Sequence, residues 1–150
     1  MPKDIPGKFI GILVAFVLCI VAPFVNTTVS NEMVDRRSII NDVTNFIDEV
    51  VDSRTITDAM LDELNVNLAS HGMSVDYEIT HYARSVDPDP TKDGDYYITY
   101  LERDDYNFAK GDKIAVRVYI TSYSTTQSLA HKLAGIFVKD LDETITARIR

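Results

Sequence analysis

Residues 9–25, FIGILVAFVLCIVAPFV, form a run of seventeen without a charge. This run constrains the chain more than any other feature. As an α-helix rising about 1.5 Å per residue it covers roughly 26 Å, close to the hydrocarbon thickness of a bilayer, and the uncharged residues 26–31 can lengthen it. The run therefore reads as a membrane anchor. Lys3 and Lys8 ahead of it also fit the charged region of a cleaved secretory signal. However, the apolar run is long for a signal, and Ala22 is followed by Pro23, which is unfavourable just after a cut, so a retained anchor is the better fit.

Orientation follows from the flanks. Lys3 and Lys8 lie on the short N-terminal side, and the next cations after the run are Arg36 and Arg37, so the N-terminus is expected in the cytoplasm. The chain then divides into a cytoplasmic flank (1–8), a transmembrane helix (9–29) and an extracytoplasmic domain (30–150). From Ser30 onward there are 13 Lys and Arg against 22 Asp and Glu. That surface repels phosphate backbones, so nucleic acid is not an expected partner. The single cysteine, Cys19, sits in the apolar run, so the domain must be held by its core rather than by disulfides, which suits a bacterial envelope.

Within the anchor, Gly7, Gly11, Ala15 and Cys19 fall four apart and share one helix face, the small-residue pattern that lets helices approach closely in lipid. Pro23 removes one backbone donor and is expected to kink the helix near its exit. Beyond it, Met33, Ile39, Ile40, Val43, Phe46, Ile47, Val50 and Val51 recur at three and four, with charged residues between them, which predicts an amphipathic helix. Anchor and amphipathic stretch can form one helix; from Lys8 to Ser53 it would be about 69 Å long.

A second helix is predicted to start at Thr57 as N-cap, with Ile56 stapled to Leu61, a stripe of Leu61, Leu64 and Leu68, and Gly72 as its C-cap. From Met73 the period switches to two, with Met73, Val75, Tyr77 and Ile79 on one face. Two further strands follow. In one, Tyr96, Ile98 and Tyr100 alternate with Tyr97, Thr99 and Leu101; in the other, Ile114, Val116, Val118 and Ile120 share a face. The three are expected to form an antiparallel meander. Ser124 and Gln127 fit a capping box for a third exterior helix carrying Leu129, Leu133 and Phe137. Ile145, Ala147 and Ile149 alternate in a last strand. The predicted fold is α+β: a long N-terminal helix, then a four-stranded, mainly antiparallel sheet with helices on one face.

Among polar groups, Asp87, Asp89, Asp93 and Asp95 lie close enough in sequence to gather around a hard cation, although the segment lacks EF-hand spacing and a solvated hairpin loop explains it as well. His71, His81 and His131 show no metal-ligand spacing and read as surface or boundary residues. The tyrosines concentrated in the strand half offer a face for a partner, or pair across strands. With no GxSxG elbow, P-loop or exterior cysteine, the sequence carries no catalytic constellation, and neither an enzyme nor a cofactor is expected.

The layout of short flank, apolar helix, amphipathic continuation and small β-rich domain resembles pilin-like proteins, and more closely the TadE-like minor pilins (pseudopilins) of tight-adherence pilus systems and related conjugation-associated membrane proteins. Gly111-Asp112 before the Ile114, Val116, Val118 strand and the terminal Thr146-Ala147-Arg148 strand carry the specific likeness. The resemblance implies a non-enzymatic component of a pilus, secretion or conjugation assembly, associating with itself or with other pilin-like subunits. It also implies processing after Gly7, leaving Lys8 as the new N-terminus. The chain departs from the pilin pattern at the fifth mature position, where Ile12 replaces the usual glutamate; this weighs against entry into a filament by the usual mechanism and is compatible with a membrane-resident assembly component or an uncleaved anchor protein. The alternative is an anchored module that binds a ligand, cation or partner protein through its exterior sheet or the Asp87 to Asp95 loop.

Overall fold

A computed structural model describes residues 5–135 and 140–150. The anchor and the amphipathic stretch form one uninterrupted helical rod: α1 (Ile5–Phe16), a π-turn (Val17–Val21) and α2 (Ala22–Ser53). The wide turn lies just ahead of Pro23. There the Ala22 N–H reaches back five residues to the Val17 carbonyl. Opening the ladder where proline would clash with the preceding turn lets the rod continue.

The outer half of α2 is the spine of the domain. Ile39, Val43, Phe46, Ile47 and Val50 are buried on the line that the three-and-four spacing predicts. Met33, expected on that line, is instead 59% exposed, and Glu32 takes the inward position with 2% exposure. Arg54 ends the helix in the left-handed conformation, its N–H bonded to the Val50 carbonyl at 2.7 Å. Helix α3 (Asp58–Ala69) begins as expected, with the Thr57 hydroxyl accepting from the Met60 N–H. Its buried stripe is Met60, Leu64 and Leu68, with Leu61 only half-buried, and its C-cap is Ser70. Gly72, expected to cap this helix, lies two residues further on, where a φ of 66° turns the chain into the sheet.

The four strands, β1 (Ser74–Pro88), β2 (Tyr96–Arg103), β3 (Lys113–Ser122) and β4 (Asp142–Arg148), are all antiparallel and run in the order β2-β1-β3-β4. This corrects the expected meander. The fifteen-residue β1 pairs with β3 through its first half, Ser74 to Tyr82, and with β2 through its second, His81 to Pro88. The chain between β2 and β3 passes beneath the α2–α3 corner. Asn107 bridges to Thr55 there, the Phe108 N–H bonds to the Arg54 carbonyl, and the Phe108 ring is buried. Pinning that connection on the core side delivers β3 to the far edge of β1.

Ile114, Val116 and Val118 of β3 meet the α2 stripe in one hydrophobic cluster, with Ile149 closing one end. The remaining helix, α4 (Thr125–Ala134), starts with the expected capping box between Ser124 and Gln127. Its apolar stripe is not where the spacing puts it. Gln127 and Ala130 face inward, Leu129 and Leu133 face out, and Phe137 lies outside the described residues.

Candidate functional site

Three places in the fold carry the functional candidates: the bare part of the rod, the junction where α4 meets it, and the far end of the sheet. Along the rod, the apolar window long enough to cross a membrane has none of its residues buried by the rest of the chain. Gly7, Gly11, Ala15 and Cys19 are all exposed. A side chain added at Gly7 or Gly11 would meet nothing within 4 Å, so nothing within the chain requires glycine at either position. The possible processing point between Gly7 and Lys8 falls in the first helical turns, on the described, exposed part of α1.

At the junction, sequence reasoning misses the polar cluster altogether. The buried Glu32 carboxylate accepts from Arg36 Nε at 3.0 Å and Nη2 at 2.7 Å on one oxygen, while His131 Nε2 lies 2.6 Å from the other. Arg36 also donates to the Tyr123 hydroxyl at 2.8 Å, and that hydroxyl donates to Asp140 at 2.9 Å. Burial, followed by the bond to Asp140, pushes the Tyr123 phenol up to about 12. The cluster therefore clamps both ends of the α4 segment to α2. The available signal is the spacing of Glu32, which stands seven residues before Ile39 on the buried line and four before Arg36.

His81, read from the sequence as a surface or boundary residue, is 2% exposed. Its Nε2 lies 3.0 Å from Asp112 Oδ2, and its Nδ1 lies 3.0 Å from both the backbone carbonyl and a carboxylate oxygen of Asp105. Both ring nitrogens thus face oxygens. Asp112 also accepts from the backbone N–H groups of Arg84 at 2.8 Å and Ala109 at 2.7 Å. The first of these contacts explains the residue. β1 continues past the end of β3 at Arg84, and the carboxylate stands in for the missing strand. Burial alone pushes the Asp112 carboxyl up, but the bonds from Arg84, His81 and Ala109 outweigh it and hold the group below the ordinary carboxylate value. Its oxygens are committed to backbone and imidazole, which is a structural role. His71 makes a simpler contact, 2.6 Å from Asp42 on α2.

The acidic loop closes the β1–β2 hairpin. Asp87 accepts from Ser85 and Thr99, and Lys92 lies 3.7 Å from Asp95. The hydroxyl and N–H of Thr91 both donate to Asp89 and draw its carboxyl below the ordinary value. Asp87 and Asp89 are thus engaged in local hydrogen bonds, while Asp93 is exposed. Among the described residues no group of three or more His, Cys, Asp or Glu is placed to hold a metal ion. Beside the base of this hairpin, Arg84, Lys110 and Arg148 line a groove of about 790 Å³ with Asp48, so a chain of acidic balance gathers cations at one spot. No family model matches the chain, and no curated protein or solved structure matches it.

Proposed function

We propose that this protein is a non-enzymatic, membrane-anchored, pilin-like component of a pilus, secretion or conjugation assembly, of the TadE-like minor pilin kind. In this reading the N-terminus is cytoplasmic and residues 30–150 form a domain on the extracytoplasmic side. The observation that carries it is the single rod. One continuous helix presents a bare apolar stretch at one end and forms the spine of a four-stranded antiparallel sheet at the other. A rod built this way transmits its position in the membrane directly to the domain, as a subunit that assembles through its anchor requires. The Gly7, Gly11, Ala15 and Cys19 face is the proposed contact with a like helix, since small residues permit close approach where lipid supplies no hydrophobic drive. Mass analysis of the N-terminus of the membrane-extracted protein tests the processing step. A chain beginning at Lys8 supports it, and an intact Met1 or Pro2 start removes the prepilin version. Crosslinking through Cys19 in the same membranes tests the helix contact, and the absence of Cys19-linked dimers would count against that face.

A further inference from the structure

Helix α4 is amphipathic in the wrong sense for a helix in water. Gln127 is buried, its side chain bonded to the Ser124 N–H at 2.9 Å, and His131 turns inward onto Glu32, while Leu129 and Leu133 are 50% and 51% exposed. Its inward face carries Gln127 and His131 beside Ala130, and its outward face carries both leucines together with Thr125, Thr126 and Lys132.

Its direction explains the inversion. Tyr123, just ahead of α4, bonds to Arg36; His131, in its last turn, bonds to Glu32 one turn back along the rod. Leu133 and Ala134, at its end, line an apolar groove of about 330 Å³ with Val21, Val25 and Val29. The helix therefore runs antiparallel to α2, down towards the anchor, and ends beside residues of the apolar run itself. The Gly135 N–H bonds to the His131 carbonyl and closes the last turn, which reduces the number of backbone acceptors left open at that end. Satisfied backbone groups are what a helix end needs in order to enter an apolar medium.

We infer that the C-terminal half of α4 is embedded in the outer leaflet of the bilayer, with Leu129 and Leu133 in contact with lipid. The occupant is lipid because Leu133 lies beside Val21 and Val25 of the rod's apolar run, and Leu129 extends the same exposed face one turn outward. A span crossing at residues 9–25 brings the membrane to whatever packs against Val21 and Val25. Lys132, in the last turn and exposed, is long enough to reach the headgroups. The domain then rests on the membrane at two points, and the clamp of Glu32, Arg36, His131 and Tyr123 sets the angle between them. This inference rests on the membrane-crossing reading of the rod but not on its pilin-like assignment.

The chain contains no tryptophan, so a single introduced one reports its own surroundings. Full-length Leu133→Trp, Leu129→Trp, Phe16→Trp and Val66→Trp are reconstituted separately into phosphatidylcholine vesicles with and without brominated acyl chains. Phe16 is on the bare rod and Val66 is exposed on α3. The expected result is blue-shifted emission and loss of intensity in brominated lipid for Phe16→Trp and Leu133→Trp, a smaller loss for Leu129→Trp, and none for Val66→Trp. If Phe16→Trp is quenched while Leu133→Trp behaves like Val66→Trp, the inference fails and the anchor stands. If Phe16→Trp is itself unquenched, the membrane-crossing reading fails. A Leu133→Trp shielded from both brominated lipid and aqueous acrylamide is covered by a second copy, which also overturns the inference. Leu129→Trp reads the same face one turn earlier should Leu133→Trp disturb the fold.

Discussion

The two halves of the rod are the same secondary structure put to opposite uses. In the outer half of α2, Ile39, Val43, Ile47 and Val50 are sealed beneath β3 and β4. In the inner half, Phe9, Ile12, Leu13 and Leu18 are as apolar but exposed. The difference lies in what stands between the apolar residues. The outer half alternates them with Asp, Glu and Arg and so has a wet face and a dry face, whereas the inner half is apolar all round and has no wet face. Helical character alone therefore does not determine where a segment sits. The surrounding polarity does, and it assigns one half to a protein core and leaves the other to be covered from outside.

The comparison breaks first under core truncation. Ile47→Ala is expected to lower domain stability by about 2–5 kcal/mol, as deleting a buried aliphatic side chain does, while Leu13→Ala leaves the domain's melting in detergent unchanged. A comparable loss from both would mean that the two halves are not separate environments. Next comes Asp112→Ala, which leaves the Arg84 and Ala109 N–H groups and the His81 ring without their acceptor and should cost about 3 kcal/mol in chemical denaturation.

The same carboxylate gives a pH test. Its folded value is lowered, so its contribution is complete above the ordinary aspartate value of about 3.9 and disappears as pH falls through the lower folded value. Asp112→Asn should flatten that part of the acid limb of stability. Glu32→Gln acts more locally. It weakens the clamp by about 1–3 kcal/mol and should speed amide exchange in α4 while β3 stays protected. Smallest of all, Arg117→Ala removes exposed contacts to Asp142 and Glu78 and should leave the melting temperature unchanged within error.

The long helix, the Ser124–Gln127 capping box and the inward set of β3 were legible because each rests on a local period or a local bond. The strand order was not, because it depends on Phe108 finding the space beneath the α2–α3 corner, a contact far apart in sequence. Glu32 was hidden by its own charge. A pattern read by polarity assigns it to solvent and promotes its neighbour Met33 to the core, and the groups that reverse this are far off in the chain: His131, 99 residues from Glu32, and Tyr123, 87 residues from the Arg36 that it holds. The leucines of α4 misled for the related reason that their spacing identifies a face but not the medium the face meets. His81 read as peripheral because a strand histidine gives no sign that a carboxylate substitutes for the next strand beside it.

The π-turn at residues 17–21 sets the azimuth of the anchor. The wide turn holds about one residue more than an α-helical turn, so deleting one of the five would leave the anchor's facing nearly unchanged, whereas relaxing all five to α-helical geometry would swing Gly7, Gly11 and Ala15 around the rod by up to about 100° relative to the sheet. The domain would keep its fold, yet present a different side to any neighbour that the anchor selects. Five residues far from the sheet thus fix which way the sheet faces.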